Sequence, residues 1–566
     1  MLPSDVKLLI AFDIGTTQSG YAYSFTSKPG EINTCSFKGR PPNTKTQTSL
    51  MVNKAGKLVC YGQEAEDRFS EMCEADDMSC RLYRNFKMAI HHNPTLNKST
   101  KVQDISGQHS MPVFDLLVMA LQYLKNHVMR AVNRFSDTYN EDDAFFVLLV
   151  PAIFDDRAKW LMREVALKSG IRSERFTMAL ESETSSLWCL HENINGIKPK
   201  GTRFITVDLG GGTADIIAHE SQGDGSVESL QSPCGGDWGA VNVDNCFKSY
   251  LSLLFGTQAV DDLIKQNLHE WYKLMKSYES YKVSKAADMK LHIPLSLKSS
   301  AVDNKGLHGT AELAELIKSP NFGGHFNMVG ETLEIDDEAT KGMYTYTVNC
   351  IMGKIEQLVQ RGVVTNKNVD HVIILGGLVN NDMIKSMLKE ALNRYSLVFP
   401  DNGEMFAAKG AILYGHKKSL VRSRVIPLTY GIKTTVPYDE KKHCDSQVKL
   451  INGVKMCTEN FHVLIKAETK VNVGHEVKEL DKPLVADDKE QNFEIFSCGS
   501  ADDIPTLTSH FTVHKEASFS IPLPYGCLVD DKVFERCVIL GEPEIVFRLS
   551  FKKGKKDIFI KHMEYI

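Results

Sequence analysis

Two stretches of this chain share one pattern of apolar and polar positions. Residues 7–22 read KLLIAFDIGTTQSGYA, and residues 202–218 read TRFITVDLGGGTADIIA. In each, an apolar run delivers an aspartate, small residues follow, and a second apolar run returns. The pattern predicts a strand, a tight turn and an antiparallel strand, twice. Between the copies, 145–150 (FFVLLV) is apolar throughout, as a parallel strand covered on both faces must be, and Pro151 ends it. Residues 155–170 then carry Trp160, Leu161, Val165 and Leu167 at helical spacing, open on two aspartates and stop at Gly170. Residues 115–135 predict another helix. A third strand and turn lie at 369–377 (VDHVIILGG), followed by helices at 382–395 and 406–414. The last of these is rich in small residues that allow close packing against backbone.

After about residue 420 the helical period disappears. Residues 427–436, 461–473, 493–496, 517–522 and 544–560 alternate, or are rich in β-branched side chains, as strands are. Two similar α/β lobes explain the repeated pattern better than one large sheet. The expected division is 1–201 and 202–421 for the lobes and 422–566 for an all-β domain. The polar, glycine-containing stretch 291–330 is expected to be a peripheral subdomain of the second lobe.

Composition narrows this picture without changing it. The 566 residues are 42% apolar and 24% charged, with 66 basic and 71 acidic side chains mixed along the chain and a formal net charge of −5. That balance gives no electrostatic reason to expect nucleic acid or a membrane surface as partner. The apolar run at 8–14 is too short for a secretion signal and is interrupted by Asp13. No run approaches the length needed to span a bilayer. Thirteen cysteines are scattered, without a C-x-x-C pair or zinc spacing, which predicts free thiols in a reducing compartment, cytoplasmic or nuclear.

The two turns carry the candidate chemistry. In Asp208-Leu-Gly-Gly-Gly-Thr213, three glycines remove every Cβ from the turn, so backbone N–H groups can approach an anion closely, and Thr213 adds a hydroxyl. Asp13-Ile-Gly15-Thr16-Thr17 offers one glycine and two hydroxyls in the same place. One such turn is an ordinary glycine hairpin. Two, each with an aspartate at the same offset, predict a pair of facing cradles for a polyphosphate, with Asp13 and Asp208 beside its magnesium, through water ligands. The chain has no G-x-x-x-x-G-K-[ST] and no G-x-G-x-x-G after a strand. His91-His92 is expected on a surface loop. Trp160, Trp188, Trp238 and Trp271 are expected in the core or between lobes, with Trp238 beside Gly235-Gly236 near the cleft.

In that order, AFDIGTTQSGYAYSF, VLLVPAIFDDRAKWLMREVALKSGI, FITVDLGGGTADI and HVIILGGLVNNDMIKSML resemble the signatures of the 70-kDa heat-shock protein family, and fall in its actin-like ATPase domain. The overall shape is most similar to the divergent heat shock 70 kDa protein 12 branch, with ALESETSS where the family has N-E-P-T-A-A, and GGDWGAVNVD at 235–244. The resemblance covers about residues 6–420 well and the β region faintly. It implies a duplicated ribonuclease H-like fold that binds ATP or ADP with Mg2+. It implies phosphate contacts from Gly15, Thr16, Thr17, Gly210, Gly211, Gly212 and Thr213, with Gly235 and Gly236 alongside. Asp13 and Asp208 would position the metal and its waters, and Glu181 would belong to the same water shell. Lys87 would orient the attacking water. Gly376 and Gly377 would lie along the adenosine, and Glu279 and Lys282 would hold its ribose and adenine side.

The departures from the family shape the expected function. Val283 stands where the family has the arginine that stacks on adenine, and Leu378-Val379-Asn380 replaces Ser/Thr-x-Arg. Loss of that cation–π contact costs about 1 kcal/mol or more. ATP binding with slow hydrolysis is therefore expected. The linker, Leu420-Val-Arg-Ser-Arg-Val425, carries two arginines where the family is apolar, which argues against the family's docking into an apolar groove. No helical segment follows the last strands, so no lid is expected, and the basic run Lys552–Lys556 reads as a solvated hairpin tip. Two functions remain open: a chaperone-like ATPase binding client polypeptides through the β domain, or a nucleotide-sensing adaptor for signalling polypeptides that hydrolyses little. A small-molecule kinase is a weaker third.

Overall fold

The computed structural model describes residues 2–562 apart from 38–42, 76, 78, 135–137, 284–288, 362–370, 444–446, 452, 482–489, 500, 523–533 and 552–557. It is a mixed α/β architecture built on two large sheets, each founded on one of the repeated hairpins.

In the first sheet, strands Leu8–Ile14 and Gln18–Phe25 pair antiparallel, and Ala144–Val150 and Phe176–Leu180 add in parallel on the other side of Leu8–Ile14. In the second, Arg203–Leu209 and Ala214–Ser221 form the hairpin, and His371–Leu375 and Leu397–Val398 add in parallel. The continuous apolar runs are explained by this layering. Leu8–Ile14 and Ala144–Val150 are buried at every position, as central strands between two helical layers must be.

Two helices tie the sheets together. Glu181–His191 contributes Leu187, Trp188, Cys189 and Leu190 to the core of the first sheet, yet also contacts both strands of the second hairpin. Phe406–His416 follows Leu397–Val398 of the second sheet in the chain, but its Phe406, Ala408, Ala411 and Ile412 pack into the first core. The helices cross where Gly410 meets Thr184. A Cβ at 410 would lie 1.8 Å from the Thr184 carbonyl oxygen, so only glycine fits. The small-residue character of 406–414 is thus a packing requirement.

Boundaries differ from expectation by a few residues. The helix expected at 155–170 is Asp156–Lys168, with Asp155 as its N-cap accepting from Ala158 N at 2.7 Å. The strand expected at 461–473 is two strands, Val454–Ile465 and Lys470–Asn472, separated at Glu468 in the left-handed region (φ 61°). The β region holds a five-stranded and a four-stranded sheet. The expected basic tip at Lys552–Lys556 lies outside the described residues.

The linker is held by its arginines. Val421–Val425 is a strand of the second sheet, parallel to Val227–Ser229 on one side and antiparallel to Lys470–Asn472 on the other. Each arginine has found a carboxylate. Arg422 donates to Asp224 Oδ2 and Ser226 Oγ, both at 2.7 Å. Arg424, 6% exposed, pairs with Glu183. A guanidinium can be buried when a matched anion receives it, so an apolar linker is not required for docking.

Candidate nucleotide cleft

Both hairpin turns close on the same bond: Gly15 N donates to Gln18 O at 3.1 Å, and Gly210 N donates to Thr213 O at 2.9 Å. The turns then face each other in contact. A Cβ at Gly211 would sit 2.2 Å from Thr17 Oγ1, and one at Gly212 would sit 2.4 Å from Thr16 Oγ1. Behind the second turn, the carbonyls of Gly212, Gly210 and Gly211 accept from the N–H groups of Gly239, Ala240 and Val241, at the start of helix Ala240–Phe255. This locks the turn against that helix.

Between the turns lies a cavity of about 70 Å³, lined among others by Asp13, Gly15, Thr16, Thr17, Lys87, Glu181, Asp208, Gly210, Gly211, Gly212, Thr213, Gly376 and Gly377. It adjoins a second cavity of about 200 Å³ that shares Thr17, Gly211 and Gly377 and adds Glu279, Lys282, Leu378 and Asn381. The structure therefore gathers nearly every sequence-predicted site residue into one cleft. Gly235 and Gly236 stand apart: their strand pairs with Asp215 and Ala214, backing the second turn without lining either cavity. The side chain of Val283 lies outside the described residues.

The cleft is dense in carboxyl groups. Burial, then the neighbouring Asp215, push Asp208 up to about 7. Burial also raises Glu181, partly offset by Lys87 and reinforced by Asp13. Asp215, raised by burial, is held by Ile153 N at 3.0 Å and Thr213 Oγ1 at 3.1 Å. Ser185 Oγ donates to Asp208 Oδ2 at 3.2 Å. Crowded, buried acids with raised affinities for protons mark a site suited to a cation. Lys87 is buried, and its Nζ donates to Glu181 Oε1 at 3.0 Å.

Several residues of the cleft escaped the sequence reading. Lys45 pairs with Asp13, Nζ to Oδ2 at 2.7 Å. Arg84 bonds Glu279 and Glu66 at the mouth of the second cavity. Lys282 Nζ donates to Asp244. His91, expected on a surface loop, lines the first cavity, its ring stacked near Phe154 with centroids 6.3 Å apart. Neither of its ring nitrogens has a hydrogen-bond partner among the described residues, and burial, then His92, push its imidazole down to about 4. The HH pair carried no spacing signal that could have placed it here.

Facing Asp-bearing glycine turns, two crossing helices and parallel strands flanking each hairpin define a class: an architecture consistent with an Hsp70-like, actin-fold ATPase. The comparisons agree. The chain is 27% identical over 561 residues to heat shock 70 kDa protein 12B of Homo sapiens, covering 88% of this chain and 81% of that protein. It is 26% identical over 533 residues to heat shock 70 kDa protein 12A of Mus musculus, covering 83% and 78%. Similarity extends to chaperone protein DnaK of Prochlorococcus marinus, 21% identical over 449 residues, covering 75% and 62%. No family model matches. The resemblance read from the motifs, to the 70-kDa heat-shock family and its 12A and 12B members, is thus carried by most of the chain. Among the described residues no helix is long and apolar enough to cross a membrane.

Proposed function

We propose that this chain is an Hsp70-type nucleotide-binding protein that takes ATP or ADP with Mg2+ in the cleft and hydrolyses ATP slowly. In this reading 1–201 and 202–421 are the two ATPase lobes and 422–566 is the polypeptide-binding part. The observation that supports it best is the direct apposition of Thr16 and Thr17 against Gly211 and Gly212. That leaves backbone and hydroxyl donors on both sides of a cavity bordered by acids.

The residues fit the group they would hold. Gly211 and Gly212 leave no room for a Cβ, as a cradle of backbone donors requires. Asp13 and Asp208 both line the cavity, where carboxylates would hold the waters of a hydrated ion. When bound, magnesium would neutralise charge on the phosphates. Gly15, Thr16, Thr17, Gly210, Gly211, Gly212 and Thr213 would bind the phosphates. Lys87, held by Glu181, would position the attacking water. Gly376, Gly377, Glu279 and Lys282 would border the adenosine. Slow turnover follows from the remodelled adenosine side, where Leu378 and Asn380 line the second cavity.

Calorimetry of the purified protein with ATP and ADP in magnesium tests the binding, and heat of binding is expected for both. Absence of heat with either nucleotide overturns the reading. Turnover measured with and without an unfolded peptide separates the two functions. Stimulation is expected for the chaperone, and tight binding without stimulation would make the chain a nucleotide-sensing adaptor.

A further inference from the structure

Lys45 sits in a polar run without period, yet the fold builds a place for it. Its carbon chain passes over Gly20, the residue directly across the first hairpin from Asp13. A Cβ at Gly20 would lie 3.1 Å from Lys45 Cγ and 3.1 Å from the Thr44 carbonyl oxygen. The next residues are stitched to the same hairpin. Thr46 and Gln47 pair with Ser19 and Gln18, Thr48 N donates to Thr17 O at 2.8 Å, and Thr46 Oγ1 accepts from Gln63 N at 2.9 Å. Lys45 is therefore fixed to the hairpin that carries Thr16 and Thr17.

Its ammonium is mostly buried, with 14% of the side chain exposed, and lines the cavity between the turns. An ammonium has three N–H donors. Among the described residues Asp13 Oδ2 is the one acceptor that Nζ has. A buried charge with donors to spare is costly unless something in the cavity receives them. The charge arithmetic points the same way. Asp13, Glu181 and Asp208 line a cavity meant for a polyphosphate, itself anionic, so a second lysine beside Lys87 and the magnesium lowers the repulsion of that assembly.

Resting on the nucleotide reading above, we infer that Lys45 is a second phosphate-binding lysine of the cleft, which holds Asp13 with one donor and the terminal phosphate oxygens of the nucleotide with the others.

Two measurements test this. The wild-type protein is treated with an acyl phosphate of ATP, whose mixed anhydride transfers its acyl group to a lysine amine beside the terminal phosphate and releases ATP. Both Lys45 and Lys87 are expected to be acylated, and excess ATP is expected to suppress both. Separately, Lys45→Met is expected to weaken ATP and ADP binding by about 10- to 100-fold, as loss of a charge-assisted bond does, with adenosine affinity unchanged. Labelling of Lys87 without Lys45 overturns the inference, and does so even if Lys45→Met fails to fold. Wild-type ATP affinity in Lys45→Met, or an equal loss for adenosine, also overturns it. If the wild-type protein binds no nucleotide and neither lysine is labelled, the proposed function itself fails.

Discussion

Arg424 grips Glu183 with two parallel hydrogen bonds, Nε to Oε1 and Nη2 to Oε2, each 2.7 Å. A third donor of the same guanidinium reaches the Gly541 carbonyl. Glu183 lies in the first turn of the helix that begins with Glu181, so a single side chain joins the linker strand, the helix at the cleft and the β region.

Buried ion pairs of this kind add little net stability but are costly to break. Arg424→Ala or Glu183→Gln is expected to destabilise the protein by about 3–5 kcal/mol. The double variant Arg424→Met/Glu183→Leu is expected to lose much less. Denaturant unfolding of the three variants checks this, and additive losses would mean that the two residues do not act as a pair.

Gly212→Ala is expected to separate the two turns, because the new methyl would meet Thr16 Oγ1 at 2.4 Å and Met88 Sδ at 2.3 Å. Nucleotide affinity should fall by at least about tenfold, the equivalent of 1.4 kcal/mol. A titration of ADP with magnesium reads the change, and circular dichroism reports whether the fold is kept.

At the start of helix Asp156–Lys168 the β region brings acid against acid. Glu516 faces Asp155 and Asp156, with Arg157 nearby, and bonds Ser497 Oγ. Burial first, then those aspartates, push it up to about 7 from an ordinary 4.5. A raised carboxyl binds its proton more tightly in the folded state. Glu516's contribution to stability should therefore fall as pH rises from about 4.5 to about 7 and stay level above. Glu516→Gln is expected to make that slope shallower, the buried cleft acids Asp208 and Glu181 keeping their own share, and to stabilise the protein at pH 8 by on the order of 2 kcal/mol. Thermal melts across this range test it.

Gly410→Ala places a methyl against the Thr184 carbonyl. The overpacked crossing is expected to cost about 1–3 kcal/mol, read as a lower melting temperature. An unchanged melt would mean that the helices part without penalty.

Both hairpins could be read in the sequence because each is local. A strand, an aspartate and a small-residue turn lie within one short window, and its repetition ruled out chance. Gly376 and Gly377 were legible for the same reason. Lys45, Arg84 and His91 were not, since each reaches the cleft through tertiary placement: Lys45 by lying over Gly20, Arg84 by meeting Glu279 from another part of the chain, and His91 by stacking near Phe154. The partners of the linker arginines, Asp224 and Glu183, were not legible for a related reason: both are distant in sequence.

The second sheet does not stop at its hairpin. Its ladder runs on through Val227–Ser229 and Val421–Val425 to Lys470–Asn472, and the register slips at Val227/Glu228. The β region is thereby joined by a continuous run of main-chain hydrogen bonds to the sheet whose hairpin carries Gly210 to Thr213.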